Sequence, residues 1–283
     1  MLFLLASVAT LAQANSLFNF LGMGSGSKND NKNATHTNST MMKQTGLHNV
    51  VALAANSKYG IYAVQADNKL YFKKNLESEQ QNQAVDFGKP GKIMQLLDTK
   101  AALYALMEDA QVHFCVHPCG SEWKTLNVDA AKGKPKTLLQ LGTVLGLLTD
   151  KGLLLQTNPQ SAELQSADMH QQIKHAHIRP NATDYEAYVS TDGRLALVCK
   201  KDGNMRQNFL GEGYTSVMLS KTHLYAVKDK MVQRCKLPCG EGEGASKMVD
   251  YMAGKTDVLM ATFRKHVLAC NKGAPLIAVP EDN

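Results

Sequence analysis

The sequence predicts an all-β fold, a six-bladed β-propeller with four short antiparallel strands per blade. Three observations predict it. Pairs of short apolar runs recur at a spacing of roughly 34 to 42 residues, the period of propeller blades. The pairs are 61–64 with 70–72, 103–106 with 112–115, 145–148 with 153–155, 186–189 with 195–198, 224–227 with 232–235, and 258–261 with 267–270. The turn inside the pair carries an Asp in five units: Asp67, Asp109, Asp150, Asp192 and Asp229. Finally, residues 47–283 are too many for a small domain and suit one large closed β domain.

Taken in order, the chain opens with an uncharged apolar run, 1–11, followed by the small-residue site Ala12-Gln13-Ala14. This reads as a secretory signal peptide over 1–14, because a run this short cannot cross a hydrocarbon core that needs roughly twenty residues. No later segment is long and apolar enough for a span. Residues 22–46 are rich in Gly, Ser, Asn and Lys with little to bury, and the segment 15–46 is expected to be flexible. Its sequons at Asn33 and Asn38, and a third at Asn181, are candidate N-glycosylation sites of a secreted, extracellular protein.

The propeller is expected over 47–283. Its first blade runs from an inner strand at 50–54 to an outer one at 83–87. The second runs from 92–97 to 121–126 and the third from 137–141 to 162–165. The fourth takes 173–208, the fifth 216–248, and the sixth starts near Tyr251 and ends at 276–279. On this count no strand is left to exchange between first and last blades. The strands are rich in Val, Leu, Tyr and Phe, and the breaks in Gly, Pro, Asn and Asp. The recurring Asp has two readings, a ring of carboxylates on one face or plain hairpin chemistry. Asp67-Asn68, Asp150-Lys151-Gly152 and Asp192-Gly193 favour the second, since tight hairpins need residues that accept positive φ.

Two of the units carry a Cys-x-x-Pro-Cys-Gly motif at the same place, Cys115 to Gly120 and Cys235 to Gly240. Pro and Gly bend the chain there, and in an oxidising compartment Cys115–Cys119 and Cys235–Cys239 are expected to be local disulfides. Cys199 and Cys270 are left on different blades as buried free thiols. The rival reading is a metal cluster of His113, Cys115, His117 and Cys119. It fails in the second copy, where Gln233 and Lys236-Leu237 replace the histidines. His170, His175 and His177 form another group, with His175 and His177 on one strand face. No metal or cofactor is expected.

Composition and motifs narrow the function classes. The net charge of +6 is spread in singles and pairs, without the dense basic stripe of a nucleic-acid binder. There is no G-x-S-x-G elbow, no HExxH and no P-loop, so no enzyme activity is expected. Around 88–126, Pro90-Gly91-Lys92-Ile93-Met94-Gln95, then Leu103-Tyr104-Ala105-Leu106, then Ser121-Glu122-Trp123-Lys124-Thr125-Leu126 resembles the tectonin repeat. Tectonin-type proteins are β-propeller lectins, so the resemblance implies glycan or cell-surface binding. The leading expectation is therefore a secreted, non-enzymatic recognition protein for glycans or surface glycoproteins. The alternative is a secreted scaffold, coat or host-interaction propeller that binds other proteins without sugar. Tyr62, Tyr104, Tyr188 and Tyr225 are expected to pack between blades rather than face a ligand.

Overall fold

The structure, a computed structural model, describes residues 43–76, 82–167, 173–179, 184–201, 204–240, 244–254 and 257–281. The expected signal peptide, Asn33, Asn38, Asn181 and His170 lie outside the described residues.

Strand β1 (Lys43–Gln44) comes first, and five antiparallel meanders follow. Unit one is β2 (Val50–Asn56), β3 (Gly60–Gln65), β4 (Leu70–Lys73) and β5 (Gln83–Val85). Unit two is β6 (Ile93–Asp98), β7 (Ala102–Met107), β8 (Val112–Val116) and β9 (Lys124–Thr125). Unit three is β10 (Pro135–Leu141), β11 (Val144–Thr149), β12 (Leu153–Gln156) and β13 (Gln165–Ala167). Unit four is β14 (Ile173–Ile178), β15 (Tyr185–Ser190), β16 (Leu195–Lys201) and β17 (Asn204–Gly211). Unit five is β18 (Tyr214–Leu219), β19 (His223–Lys228), β20 (Met231–Lys236) and β21 (Val249–Ala253). The last three strands are β22 (Val258–Phe263), β23 (His266–Asn271) and β24 (Ile277–Pro280). They form a four-stranded sheet in the order β1-β24-β23-β22.

That order corrects two expectations. The sixth unit does borrow a strand from the N-terminal side: Lys43 pairs with Ala278 and Gln44 with Ile277. The pairing is extended by Thr45, whose amide and hydroxyl both donate to the Leu276 carbonyl, and by Leu276 donating to Leu47. Residues 43–46, inside the span expected to be flexible, are thus part of the fold. Every later element of this unit then moves by one strand. The run 258–261 lies on the first strand, not the second, and Cys270 lies on the second, not the third. Tyr251 belongs to the outer strand of unit five. The sixth unit had no Asp in its expected turn because that turn, Arg264-Lys265, is the first hairpin of the sheet.

Why these residues make these strands follows from burial. The second strand of each unit is covered on both faces, so it reads as a continuous apolar run; β7 is buried along its whole length. The core is divided into clusters, each drawn from two consecutive units. Tyr62 of unit one shares a cluster with Trp123 of unit two, Tyr104 of unit two with Leu145 of unit three, and Leu139 of unit three with Tyr188 of unit four. Leu197 of unit four shares one with Leu224 of unit five, and Tyr225 of unit five with Val267 of unit six. The closing cluster joins Leu47, Val50 and Ile61 to Leu268, Leu276 and Ala278. The recurrent tyrosines are therefore interior, as expected. Their ring burial drives the packing, at roughly 25 cal/mol for each Å² of apolar surface removed from water.

A β-bulge recurs near the start of the first strand in five units, between Val50 and Ala52, Ile93 and Gln95, Pro135 and Thr137, Ile173 and His175, and Tyr214 and Ser216. Such a bulge turns the following side chains relative to the sheet.

Candidate binding site at the channel mouth

The first strands of all six units line one cavity of about 670 Å³. Within a meander, the first hairpin lies at one end of the sheet and the second hairpin at the other. The first hairpins therefore share one mouth of this channel, and the Asp-bearing second hairpins share the opposite face.

Local chemistry sets what each first hairpin shows to solvent. In unit two the Thr99 hydroxyl accepts from the amides of Ala101 and Ala102 and donates to the Ala102 carbonyl. In unit five the Ser220 hydroxyl likewise accepts from the amides of Thr222 and His223. In unit one Asn56 Oδ1 accepts from the Lys58 amide. A side-chain oxygen thus ties each turn to itself. Lys100, Lys221 and Lys58 are left exposed at the tips. Arg179 after β14 and Arg264 after β22 add two more cations, and all five line the mouth. Among the described residues, no carboxylate forms an ion pair with any of them.

Two carboxylates share the lining, and both are occupied. Asp98 is buried, accepting from Asn56 Nδ2 at 2.8 Å and lying 3.0 Å from His117 Nε2. Burial raises its pKa, against the opposing pull of His117 and Asn56. Glu281 accepts from the hydroxyls of Ser220 and Thr222 and lies 3.5 Å from His223 Nδ1. Burial pushes Glu281 up, but the bonds from His223, Ser220 and Thr222 outweigh it and leave the group below its usual range.

The strands around the channel are held to each other in different ways. Units three and four meet by backbone pairing, Gln140 with His177 and Leu141 with Ile178. Between units two and three, Gln95 imitates a peptide group, donating to the Leu138 carbonyl and accepting from its amide, each at 2.9 Å. Between units four and five, His175 Nδ1 accepts from the Val217 amide at 3.4 Å and His177 Nδ1 from the Leu219 amide at 3.2 Å. Desolvation chiefly, with Lys174 beside it, lowers His175 to about 4. Desolvation, then His175 and Arg179, lowers His177 to about 3. Both imidazoles are thus neutral acceptors that replace sheet bonds. The one-face placement of this pair is confirmed, and its use is structural.

The two Cys-x-x-Pro-Cys-Gly loops flank the same mouth, since they follow the third strands of units two and five. Cys115 and Cys119 have Cα atoms 5.4 Å apart, and Cys235 and Cys239 6.0 Å, spacings that fit disulfides. His113 and His117 do not converge on the sulfurs. His113 bonds to the Thr125 hydroxyl at 2.9 Å, while His117 stacks on Tyr59 with centroids 4.1 Å apart. Cys199 and Cys270 have no disulfide partner among the described residues; Cys270 is buried as expected, whereas Cys199 is half-exposed, and desolvation raises both thiols, Cys270 to about 12.

On the opposite face the Asp residues serve their own turns. Asp67 accepts from the Lys69 amide, Asp109 from Gln111 and Asp192 from Arg194, while Asp150 accepts from Lys134. Asn68, Ala110 and Asp229 take positive φ, as tight hairpins require. Asp67 lies 3.6 Å from Lys69 Nζ and Asp192 3.2 Å from Arg194 Nε, so charge there is largely answered locally. Trp123, central to the tectonin likeness, is buried against Phe87 with ring centroids 4.7 Å apart. The ring of mouth cations was missed from sequence. The signal was present, a Lys two residues beyond the inner strand in units one, two and five.

No family model matches the sequence, and no match is found among curated proteins. Solved structures do match. Prp20p from Saccharomyces cerevisiae, described with its binding to Gsp1p and histones, aligns at a TM-score of 0.53 and 11% identity, covering 77% of this chain and 69% of that one. A chain of the mitotic checkpoint complex aligns at 0.58 and 11%, covering 93% and 98%. The WD40 repeats of RRP9 align at 0.58 and 9%, covering 86% and 98%. At such identities the likeness establishes fold alone: an all-β propeller akin to WD40 and RCC1 chains. The tectonin lectin type receives no support from these likenesses. No helix among the described residues is long and apolar enough to cross a membrane.

Proposed function

We propose that this chain is a secreted six-bladed propeller that acts without catalysis, as a scaffold binding another protein across the mouth formed by its first hairpins. The observation that carries the reading is the ring of five cations around a 670 Å³ channel, none of them in an ion pair with a described carboxylate. Exposed hairpin tips on a rigid closed scaffold are where binding residues concentrate. Charge of one sign in a concave mouth steers and orients an oppositely charged surface. Several neighbours of this fold are described with protein partners: Prp20p with Gsp1p and histones, another chain within the mitotic checkpoint complex.

The protein reading replaces the glycan reading as the preferred one. Sugar recognition leans on displayed aromatic faces, whereas Trp123, Tyr62, Tyr104, Tyr188 and Tyr225 are all buried in the packing between units.

The test uses the folded chain, immobilised and exposed to extracellular fluid of its source. Retained material is treated beforehand either with protease or with glycosidases. Retention abolished by protease and unaffected by deglycosylation is the expected result. Retention abolished by deglycosylation would overturn the reading in favour of sugar.

A further inference from the structure

We infer that the partner engages the mouth through an acidic peptide segment, carboxylate side chains on the cation ring and an apolar side chain in the channel below it. The inference rests on the protein-binding reading and specifies the chemistry of the partner.

Three features point this way. First, the cations come from five separate hairpins: Lys58, Lys100, Arg179, Lys221 and Arg264. Only a ligand with several negative groups spread over its length meets more than one or two of them. Second, among the described residues no carboxylate pairs with any cation of the ring. Asp98 Oδ1 is turned to Asn56 and His117, and Glu281 Oε1 to Ser220, Thr222 and His223, so both lining carboxylates are directed to neighbours other than the ring cations. On the opposite face, by contrast, Asp67 and Asp192 sit beside Lys69 and Arg194. Third, the wall beneath the cations offers a few apolar positions, the exposed Met94 and the half-buried Leu97, Leu259 and Met260, set among the polar Gln95, Gln140 and Ser216. These apolar positions offer a seat for one hydrophobic side chain below the charges, while the concave mouth concentrates their field.

The same features set a peptide apart from a nucleic acid. A phosphate backbone is tracked by an extended basic groove with aromatic platforms for the bases. Here the cations form a closed ring, and the aromatic ring at the mouth, Tyr59, is already stacked on His117. The channel volume falls within the range of small-ligand pockets, about 300 to 1,000 Å³, which suits one or two side chains.

The experiment measures fluorescence anisotropy of the intact chain with a short labelled peptide in which Glu and Asp flank one Leu. A Gln/Asn version and a poly-uridine oligomer serve as comparisons. Two paired charge reversals are made. Lys100→Glu with Lys221→Glu changes the mouth at tips whose backbone is held by Thr99 and Ser220. Lys92→Glu with Lys151→Glu changes the opposite face by the same net charge. Melting curves establish that both variants fold, and Lys100→Gln with Lys221→Gln replaces the mouth variant should it not. Saturable binding of the acidic peptide, weakened about tenfold or more by the mouth pair and less than about twofold by the other, is expected. Equal weakening by both pairs would reduce the effect to bulk charge and overturn the inference, as would tighter binding of the oligonucleotide. If the acidic peptide fails to bind while a protein partner is still retained, the inference falls and the function stands. Retention lost to deglycosylation would remove the function itself.

Discussion

The two faces of this propeller use one turn device for opposite ends. At the mouth, Thr99 and Ser220 tie their hairpins with a hydroxyl. On the far face, the Thr149 hydroxyl accepts from Lys151 and Gly152 in the same manner, and Asp67 and Asp109 do similar work with carboxylates. The difference lies in what surrounds the turn. Far-face carboxylates have cations or amides within bonding distance, whereas the mouth lysines project past carboxylates that are already engaged. Turn chemistry alone therefore says little about binding; whether a charge is answered by its neighbours says more.

The largest blow to both faces together comes from loosening the seam between the last sheet and unit one. Leu47 is fully buried in the cluster that joins units six and one. Leu47→Ala is expected to cost about 2 to 5 kcal/mol in urea unfolding. A loss below about 1 kcal/mol would mean the closing seam is not where the β1 pairing puts it.

A smaller change separates the faces. Replacing Cys115 and Cys119 together by Ser removes a cross-link that frames only the mouth. For so short a loop the expected cost is about 2 kcal/mol. The far-face hairpins should keep their amide protection while 99–101 loses some; uniform loss would show that the two faces are not independent.

Acid should act at the mouth side of the seam between units four and five. The folded values of His175 and His177 lie near 4 and 3, below the ordinary 6.5 of the unfolded chain. The folded state therefore binds fewer protons, and stability falls as pH drops from about 6.5 toward those values, then levels off. The neighbouring charged groups, Lys174 and Arg179, act in the same direction. His175→Asn with His177→Asn keeps an acceptor in place of Nδ1 and should flatten the melting profile between about pH 4 and 6.5. An unchanged slope would assign the acid sensitivity elsewhere.

The smallest effect is expected on the far face. Asp67→Ala removes one turn bond and an exposed ion pair, and should change stability by no more than about 1 kcal/mol. It should leave partner binding unchanged.

Much of the fold was legible because the second strand of each unit is buried on both sides and writes itself as a dense apolar run. The first three strands of five units were read in register for that reason, while the outer strand of unit five, Val249–Ala253, was assigned to unit six. The outer strands were harder, since β1 is only Lys43-Gln44 and β9 only Lys124-Thr125, both exposed. A two-residue polar strand has no periodicity to detect. Unit six was misplaced for a related reason. Its first strand, Val258–Phe263, is half-exposed to the channel yet as apolar as a second strand. The missing Asp at Arg264-Lys265 was the clue that the register had slipped. The cysteine pairs were legible from motif repetition, and the mouth cations were not, because each is an ordinary surface Lys or Arg until the six hairpins are brought to one end.

The central claim is that a protein partner sits on the mouth, and amide hydrogen exchange with and without the captured partner tests it most directly. Protection is expected at 57–59, 99–101, 220–222 and 264–265, with 67–69, 150–152 and 192–194 unchanged. Protection confined to the Asp-bearing hairpins, with the mouth unaltered, would contradict the account.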